Sequence, residues 1–193
     1  WIMDIRDAMF DDPNRKSSVF KNLQKIIEYR YEKKFYPVAD AIVTVSQPIS
    51  ASIQKRHPAL DFNARVKVLP NGFDEEDFTV VHPVPLKNDR FTVAYTGSFM
   101  GKRTPVDFLR AVRSLVKSGR VDPQDLWLRF VGHYNEQIKA RIYRFAGEIP
   151  TEVAGFLPYR ESLKIQMTAD LLLLVVTVDA QEDGSQMLTG KLF

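Results

Sequence analysis

Short runs in which apolar and polar residues do not alternate are the feature that most limits how this chain of 193 residues can fold. The runs at 41–45, 126–131 and 171–176 read AIVTV, LWLRFV and LLLLVV. Such runs are what strands buried on both faces of a parallel sheet require. Helix-forming segments separate the runs along the chain, and this alternation predicts a doubly wound α/β architecture with right-handed crossovers.

The other segments fit the same alternation. Ser46 precedes a helix as a candidate N-cap, with Pro48 in its first turn. Segment 73–90 differs, because an acidic stretch is followed by a proline-containing one, and we interpret it as a linker between domains at 1–72 and 91–193. The remaining predicted strands are 1–5, 66–69, 91–95 and 153–156, and the remaining predicted helices are 14–35, 104–118, 135–146 and 160–168.

Composition excludes several classes of site. The chain has no cysteine, which excludes disulfides and thiolate metal sites, and with only three histidines we expect no zinc site built by the protein. We also expect no other metal and no cofactor. The net charge of +3 and the absence of any nucleic-acid-binding motif argue against a nucleic acid partner. Basic residues do cluster in the first helix, around Arg30, Lys33 and Lys34. A solvated helix face is the simpler interpretation of this cluster, and contact with an anionic membrane is the alternative.

Ligands of open parallel sheets bind beyond the carboxyl ends of the strands. After the strand at 91–95 comes a glycine-containing loop, 96–103, whose amides and Arg103 suit a phosphate, although a tight turn would have the same composition. Gly132 and His133 follow the next strand. His133 could touch a ligand, but a lone histidine there is more often an ordinary surface residue. Phe156 and Leu157 could form an apolar wall for a nucleobase or pack on their own helix.

The order of these motifs resembles the glycosyltransferase group 1 family, which is family 4 of the retaining GT-B glycosyltransferases. Nearly the whole chain takes part in the resemblance. The matching strings are ADAIVTVS at 39–46, VLPNGFD at 68–74, YTGSF at 95–99, RTP at 103–105, FVG at 130–132, GFLP at 155–158, ADLLL at 169–173 and TGKLF at 189–193.

The resemblance implies roles for individual positions. Gly97, Ser98 and Phe99 would lie against the sugar-nucleotide donor, and Arg103 would grip its diphosphate. A nucleobase pocket would involve Gly132, Phe156 and Leu157. The first glutamate of the family's E-x₇-E pattern is replaced by Gln186, and the second, which bonds the ribose, would directly follow Phe193. The remaining expected phosphate contacts are Leu188, Thr189, Gly190 and Lys191.

The implied fold is GT-B-like α/β with two Rossmann-like domains, both incomplete here. Segment 1–72 would be the end of the acceptor-side domain, and 91–193 a donor domain truncated at its end. No catalytic residue is assigned, because the start of the acceptor domain is absent, and we expect no sugar transfer by this chain alone.

The implied activity is metal-independent, retaining hexosyl transfer from a nucleotide-diphosphate sugar to a glycan or lipid-linked acceptor in polysaccharide biosynthesis. The implied location is cytoplasmic, with peripheral contact to the inner face of the membrane as the alternative for the basic helix. A non-catalytic α/β module that binds nucleotides or sugars is the other interpretation.

Overall fold

The computed structural model describes residues 1–6, 19–82, 90–99 and 103–175. The described chain forms two compact units, one containing Trp1–Phe73 and the other Asp74–Val175. Each unit is built around its own parallel β-sheet.

The first unit has a three-stranded sheet in the order β1-β2-β3. Both strand pairs are parallel, with Met3 opposite Ile42 and Ile42 opposite Val66. A short 3-10 helix, Tyr36–Val38, leads into the central strand. The other elements, in chain order, are β1 (Ile2–Ile5), α1 (Val19–Phe35), β2 (Ala41–Thr44), α2 (Gln47–Arg56), α3 (Phe62–Arg65) and β3 (Val66–Val68).

The core of the first unit lies between its sheet and α2. Ile42 of β2 is fully buried and packs with Ile49 and Ile53, which are separated by one helical turn. Strand β1 lies at the edge of the described sheet, and Ile2 is 65% exposed. The apolar residues that predict helix α1 are also exposed; they are Leu23, Ile26, Ile27 and Tyr31.

The second unit has a four-stranded parallel sheet in the order β6-β5-β4-β7. A short 3-10 helix, Pro123–Asp125, precedes β5. The other elements are α4 (Glu75–Thr79), β4 (Phe91–Thr96), α5 (Val106–Lys117), β5 (Leu126–Val131), α6 (Glu136–Ala146), β6 (Thr151–Ala154), α7 (Tyr159–Thr168) and β7 (Leu171–Leu172).

Helices cover both faces of the two central strands. Tyr95 of β4 points to the face packed against Leu109 of α5 and Ile142 of α6. The neighbouring residue Ala94 points to the opposite face and packs against Ile165 of α7. Successive residues of a strand face opposite sides of a sheet, so both faces must be apolar. The burial on both faces that the unalternating run at 126–131 predicts is confirmed for β5, whose Phe130 and Val131 pack on opposite faces, and β4 is buried in the same way.

Two predicted strands differ from those observed by more than one residue at an end. Strand β6 is Thr151–Ala154 rather than 153–156, because Thr151 already pairs with Leu128. The predicted buried strand at 171–176 is observed only as Leu171–Leu172, at the edge of the described sheet. Those leucines are 42% and 56% exposed, so their burial on both faces was a wrong expectation. Leu171 and Leu172 pair parallel with β4, so this segment belongs to the same parallel sheet, as the predicted doubly wound architecture requires.

The stretch that the sequence presents as a linker, 73–90, contains helix α4. Asp74 caps this helix by accepting a hydrogen bond from the backbone N–H of Glu76. Tyr159, at the start of α7, donates a hydrogen bond to Asp77 over 3.0 Å. Residues 74–81 therefore belong to the second unit, where Val81 is buried.

Ser46 occupies the predicted N-cap position of α2 but does not act as a side-chain cap. Its hydroxyl makes no hydrogen bond to the first turn, and it is buried without a partner among the described residues. Pro48 lies in the first turn as predicted. Within the described ranges, no helix combines the length and apolar character needed to cross a membrane.

An Ala-Asp pair precedes one strand in each sheet, and its aspartate contacts the backbone at the start of the neighbouring strand in both cases. The backbone N–H of Asp170 donates to the carbonyl of Thr92, and the carboxylate of Asp170 accepts from the N–H of Thr92. In the first unit the N–H of Asp40 donates to the carbonyl of Trp1, whose amino nitrogen contacts the Asp40 carboxylate. Each aspartate therefore fastens the start of its strand to the start of the neighbouring strand.

We expect Asp170→Ala to lower the free energy of unfolding by about 1–3 kcal/mol, the cost of a buried donor left without a partner. Thr92 is 1% exposed, so water cannot easily replace the lost carboxylate. Glu148→Ala, in the exposed turn between α6 and β6, should change stability by less than about 0.5 kcal/mol. Urea unfolding of both variants provides the measurement, and equal losses would contradict a specific role for Asp170.

Candidate functional site

The loops that follow β4, β5 and β6 begin at the same edge of the second sheet, the edge formed by the carboxyl ends of its parallel strands. The strands are parallel neighbours, with Thr96 opposite Val131 and Val131 opposite Ala154. The first residues beyond these positions are Gly97, Gly132 and Gly155. Glycine-containing loops are thus brought side by side at the carboxyl ends of the strands, where open α/β sheets bind ligands.

Gly97 and Gly132 bring the first two loops into direct backbone contact. Their φ angles are 129° and 151°, values at which residues with a Cβ are strained. A Cβ on Gly132 would lie 2.2 Å from the carbonyl oxygen of Gly97. The N–H of Gly97 also donates to the carbonyl of Val131 over 2.7 Å. The close approach of these loops therefore requires glycine at position 132.

Aromatic side chains hold the first loop against the core. Phe99 stacks on Tyr95 with ring centroids 4.3 Å apart and on Tyr134 at 5.4 Å. Phe99 is only 8% exposed, so its side chain anchors the loop, and its backbone is the part that can meet a ligand. Tyr95 also donates a hydrogen bond from its hydroxyl to the carbonyl of Ser98. These contacts fix the backbone of residues 97–99.

The tyrosine hydroxyls beneath this loop remain neutral. Burial raises the pKa of Tyr95, and the nearby positive charge of Arg103 partly opposes that rise. Burial raises the pKa of Tyr134 more strongly. No described residue forms a hydrogen bond with the Tyr134 hydroxyl. The site thus combines a cationic group, Arg103, with uncharged phenols.

Arg103 lies between the first loop and a long helix. Pro105 is the N-cap of α5, and Asp107 lies in the first helical turn. The amino end of a helix carries partial positive charge and N–H groups without intrahelical partners. Arg103 and the start of α5 therefore make this end of the loop favourable for an anion.

The third loop adds an exposed aromatic surface. Phe156 is 68% exposed and stacks on His133, with ring centroids 5.2 Å apart and ring planes inclined by 16°. Leu157 is oriented differently, because it packs against the buried residues Ala94, Val131 and Ile165. Phe156 and His133 thus offer a flat surface at the site, while Leu157 supports it from the core.

The predicted site residues that the structure describes lie at this edge of the sheet. The stacking of His133 on Phe156 was not expected from the sequence, since the two residues are far apart in the chain. Among the described residues, no group of histidine, aspartate or glutamate side chains could hold a metal ion. The predicted contacts that fall outside the described residues are Gln186, Leu188, Thr189, Gly190 and Lys191.

We expect Gly132→Ala to destabilise the second unit by about 1–3 kcal/mol, the usual cost of a strained backbone conformation, and to displace the loop at 97–99. Gly155→Ala is the matched control, since a Cβ at Gly155 would meet no atom within 4 Å. Urea unfolding and the amide NMR signals of Gly97 and Ser98 report the two effects. Unchanged signals in Gly132→Ala would contradict the close packing of the loops.

Comparison with known proteins gives a match only at the level of structure. No protein-family model and no curated protein matches the sequence. The crystal structure of HepE from Anabaena in complex with UDP and glucose aligns with 89% of this chain at 16% identity and a TM-score of 0.51. TarM aligns over 89% of the chain at 15% identity and a TM-score of 0.46, covering 35% of TarM.

This chain spans 45% of the length of HepE. The similarity to HepE, together with the two parallel sheets, confirms the predicted fold class. The chain has a GT-B-like α/β fold with Rossmann-like units.

Proposed function

We propose that the second unit binds the nucleotide diphosphate of a sugar donor and that the chain is part of a glycosyltransferase. The observation that carries this proposal is the meeting of the glycine loops, Arg103 and the exposed Phe156–His133 pair at one edge of a parallel sheet. The UDP and glucose found with HepE, which shares the fold, support the same class of ligand.

The loop at 97–99 and Arg103 would bind the diphosphate. Gly97 has no side chain to keep a phosphate away from the backbone, and the buried Phe99 holds the loop in place before a ligand arrives. A guanidinium can make two parallel hydrogen bonds to phosphate oxygens, which suits Arg103 to this task. The start of α5 adds the favourable field of a helix amino end.

The base would stack on Phe156. Aromatic stacking recognises any nucleobase through its flat face, and the His133 ring beneath fixes the orientation of Phe156. Backbone groups of the loop at 155–157 are then available to the edge of the base. This arrangement explains why an aromatic residue stands exposed at a position where it contributes little to the core.

In the proposed reaction, the sugar leaves the nucleotide diphosphate with retention of configuration and passes to a glycan or lipid-linked acceptor. The leaving group gains negative charge, so cations that hold it lower the barrier. Arg103 would provide this stabilisation with Lys191, whose place in the sequence follows the last apolar run. Charge stabilisation by these residues and helix ends would take the role that a metal ion has in other transferases.

We expect Arg103→Ala to weaken UDP binding by about 1.5–3 kcal/mol, the value of hydrogen bonds to charged groups, and to leave uridine binding nearly unchanged. Uridine has no phosphate for Arg103 to hold. Isothermal titration calorimetry with both ligands measures the difference. Arg110→Ala is the matched control, because Arg110 lies further along α5 and pairs with Asp107. Equal losses for UDP and uridine would contradict the diphosphate role of Arg103.

Phe156→Ala should weaken UDP and uridine binding equally, by about 1–3 kcal/mol, because both ligands carry the base that stacks. Phe91→Ala provides the control, since Phe91 is 48% exposed at the opposite end of β4. The same calorimetric titrations apply. If the Phe156→Ala variant binds both ligands as tightly as the unmodified protein, the proposed stacking of the base on Phe156 is wrong.

A further inference from the structure

The first unit contains a pocket of about 630 Å³ that the donor site does not use. Its walls include Tyr29 and Lys33 from the end of α1, His57 from the end of α2, and Leu60 and Arg65 from the segment before β3. The volume lies within the ~300–1,000 Å³ range of small-molecule sites. The pocket is therefore large enough for a ligand of moderate size.

The pocket lies at the amino-end edge of the first sheet. Helix α1 and the 3-10 helix lead into the start of β2, and α2 runs back from the end of β2 to the segment that enters β3. Both connections therefore meet beside the amino ends of the parallel strands. Ligands of open α/β sheets bind at the carboxyl ends, so this pocket does not belong to that common location.

Glu32 fixes one wall of the pocket. Its carboxylate accepts two hydrogen bonds from Arg56, at 3.0 and 2.9 Å, and is 2.7 Å from Nε2 of His57. Tyr36 donates a further hydrogen bond over 3.2 Å, and burial together with the Glu32 charge raises the pKa of this tyrosine, so that it stays protonated. The network joins the ends of α1 and α2, so the pocket exists before any ligand binds.

The balance of charge along the pocket is positive. The Arg56 guanidinium is matched by Glu32, so that Lys33 and Arg65 share the described lining with one other carboxylate, that of Asp61. Arg65 also lies near the Asp40 carboxylate, outside the lining, and its charge helps to lower the pKa of that group. Arg65 is positioned by its hydrogen bond to the Pro37 carbonyl, and the Lys33 ammonium lies 5.4 Å from the centre of the Tyr29 ring. A ligand that carries negative charge would thus be attracted.

The pocket also offers flat and apolar surface. Tyr29 stacks on His57 with ring centroids 5.4 Å apart. Tyr36 makes an edge-on contact with the same His57 ring. Leu60 adds aliphatic surface to the same pocket. Aromatic walls with a few well-placed charged groups are typical of sites for small organic molecules.

We infer that this pocket is a second binding site, for a small organic anion in which a phosphate or carboxylate group is attached to a planar ring. Lys33 and Arg65 bind the anionic group, and Tyr29 and Leu60 contact the ring. The site is independent of the nucleotide site in the second unit. It provides the first unit with a ligand of its own, bound at the edge opposite to the carboxyl ends of its strands.

Histidine NMR signals can distinguish the two sites, because the chain has only three histidines. His57 lies in the pocket, His133 lies in the proposed nucleotide site, and His82 lines neither. Phenyl phosphate, phenol and inorganic phosphate serve as probes. We expect phenyl phosphate to shift the ring signals of His57 saturably, with a Kd of about 1 mM or lower, and to leave His82 and His133 unchanged.

Phenol and inorganic phosphate should each bind at least about tenfold more weakly than phenyl phosphate, because each lacks one half of the recognised group. Lys33→Gln should weaken phenyl phosphate binding about three- to tenfold. Lys34→Gln is the matched control and should change binding less than twofold, since Lys34 lies over the Phe35 ring and does not line the pocket.

Three results would overturn the inference. These are no shift of His57 with phenyl phosphate at about 10 mM, equal binding of phenol and phenyl phosphate, and equal losses in the two lysine variants. A shift of His133 with phenyl phosphate would place the probe in the nucleotide site instead. UDP should leave His57 unmoved, so failure of either site is recognised without reference to the other.

Discussion

Parallel strand pairing is the constraint on which the arrangement of both units depends. A parallel pair cannot be joined by a tight turn, so each strand must be followed by a crossover, here mostly a helix, that returns to the other end of the sheet. All carboxyl ends then lie at one edge and all amino ends at the other. In the second unit this brings Gly97, Gly132 and Phe156 together, although up to 59 residues separate them in sequence. In the first unit it brings the ends of α1 and α2 together around Glu32.

Individual residues then determine the structure at each of these two edges. At the carboxyl edge of the second sheet, the absence of a Cβ on Gly132 lets two loops touch, and the Tyr95–Phe99–Tyr134 stack holds them there. At the edge formed by the amino ends, an aspartate before one strand accepts a hydrogen bond from a backbone N–H at the start of the neighbouring strand, as Asp170 does from Thr92. An acidic residue at that position is therefore explained by strand pairing and needs no catalytic role.

The sequence allowed the order of elements and the glycine loops to be predicted, because both depend on local patterns. The apolar run at 126–131 located β5, and the helix predicted at 135–146 is observed as α6, which Asn135 caps. Features that depend on distant residues were not predictable. The exposure of Leu171 follows from the position of β7 in the sheet, which composition does not specify. The Phe156–His133 stack and the Glu32 network likewise join residues more than 20 positions apart.

The central claim is that a nucleotide diphosphate binds at the carboxyl ends of β4, β5 and β6. Titration of ¹⁵N-labelled protein with UDP tests it most directly, because each backbone amide reports its own surroundings. We expect saturable shifts for the amides of Gly97, Ser98, Gly132 and His133, with those of Phe91 and Leu126, at the opposite edge of the same sheet, unchanged. Shifts confined to that opposite edge, or no shifts with UDP at about 10 mM, would contradict the proposed site.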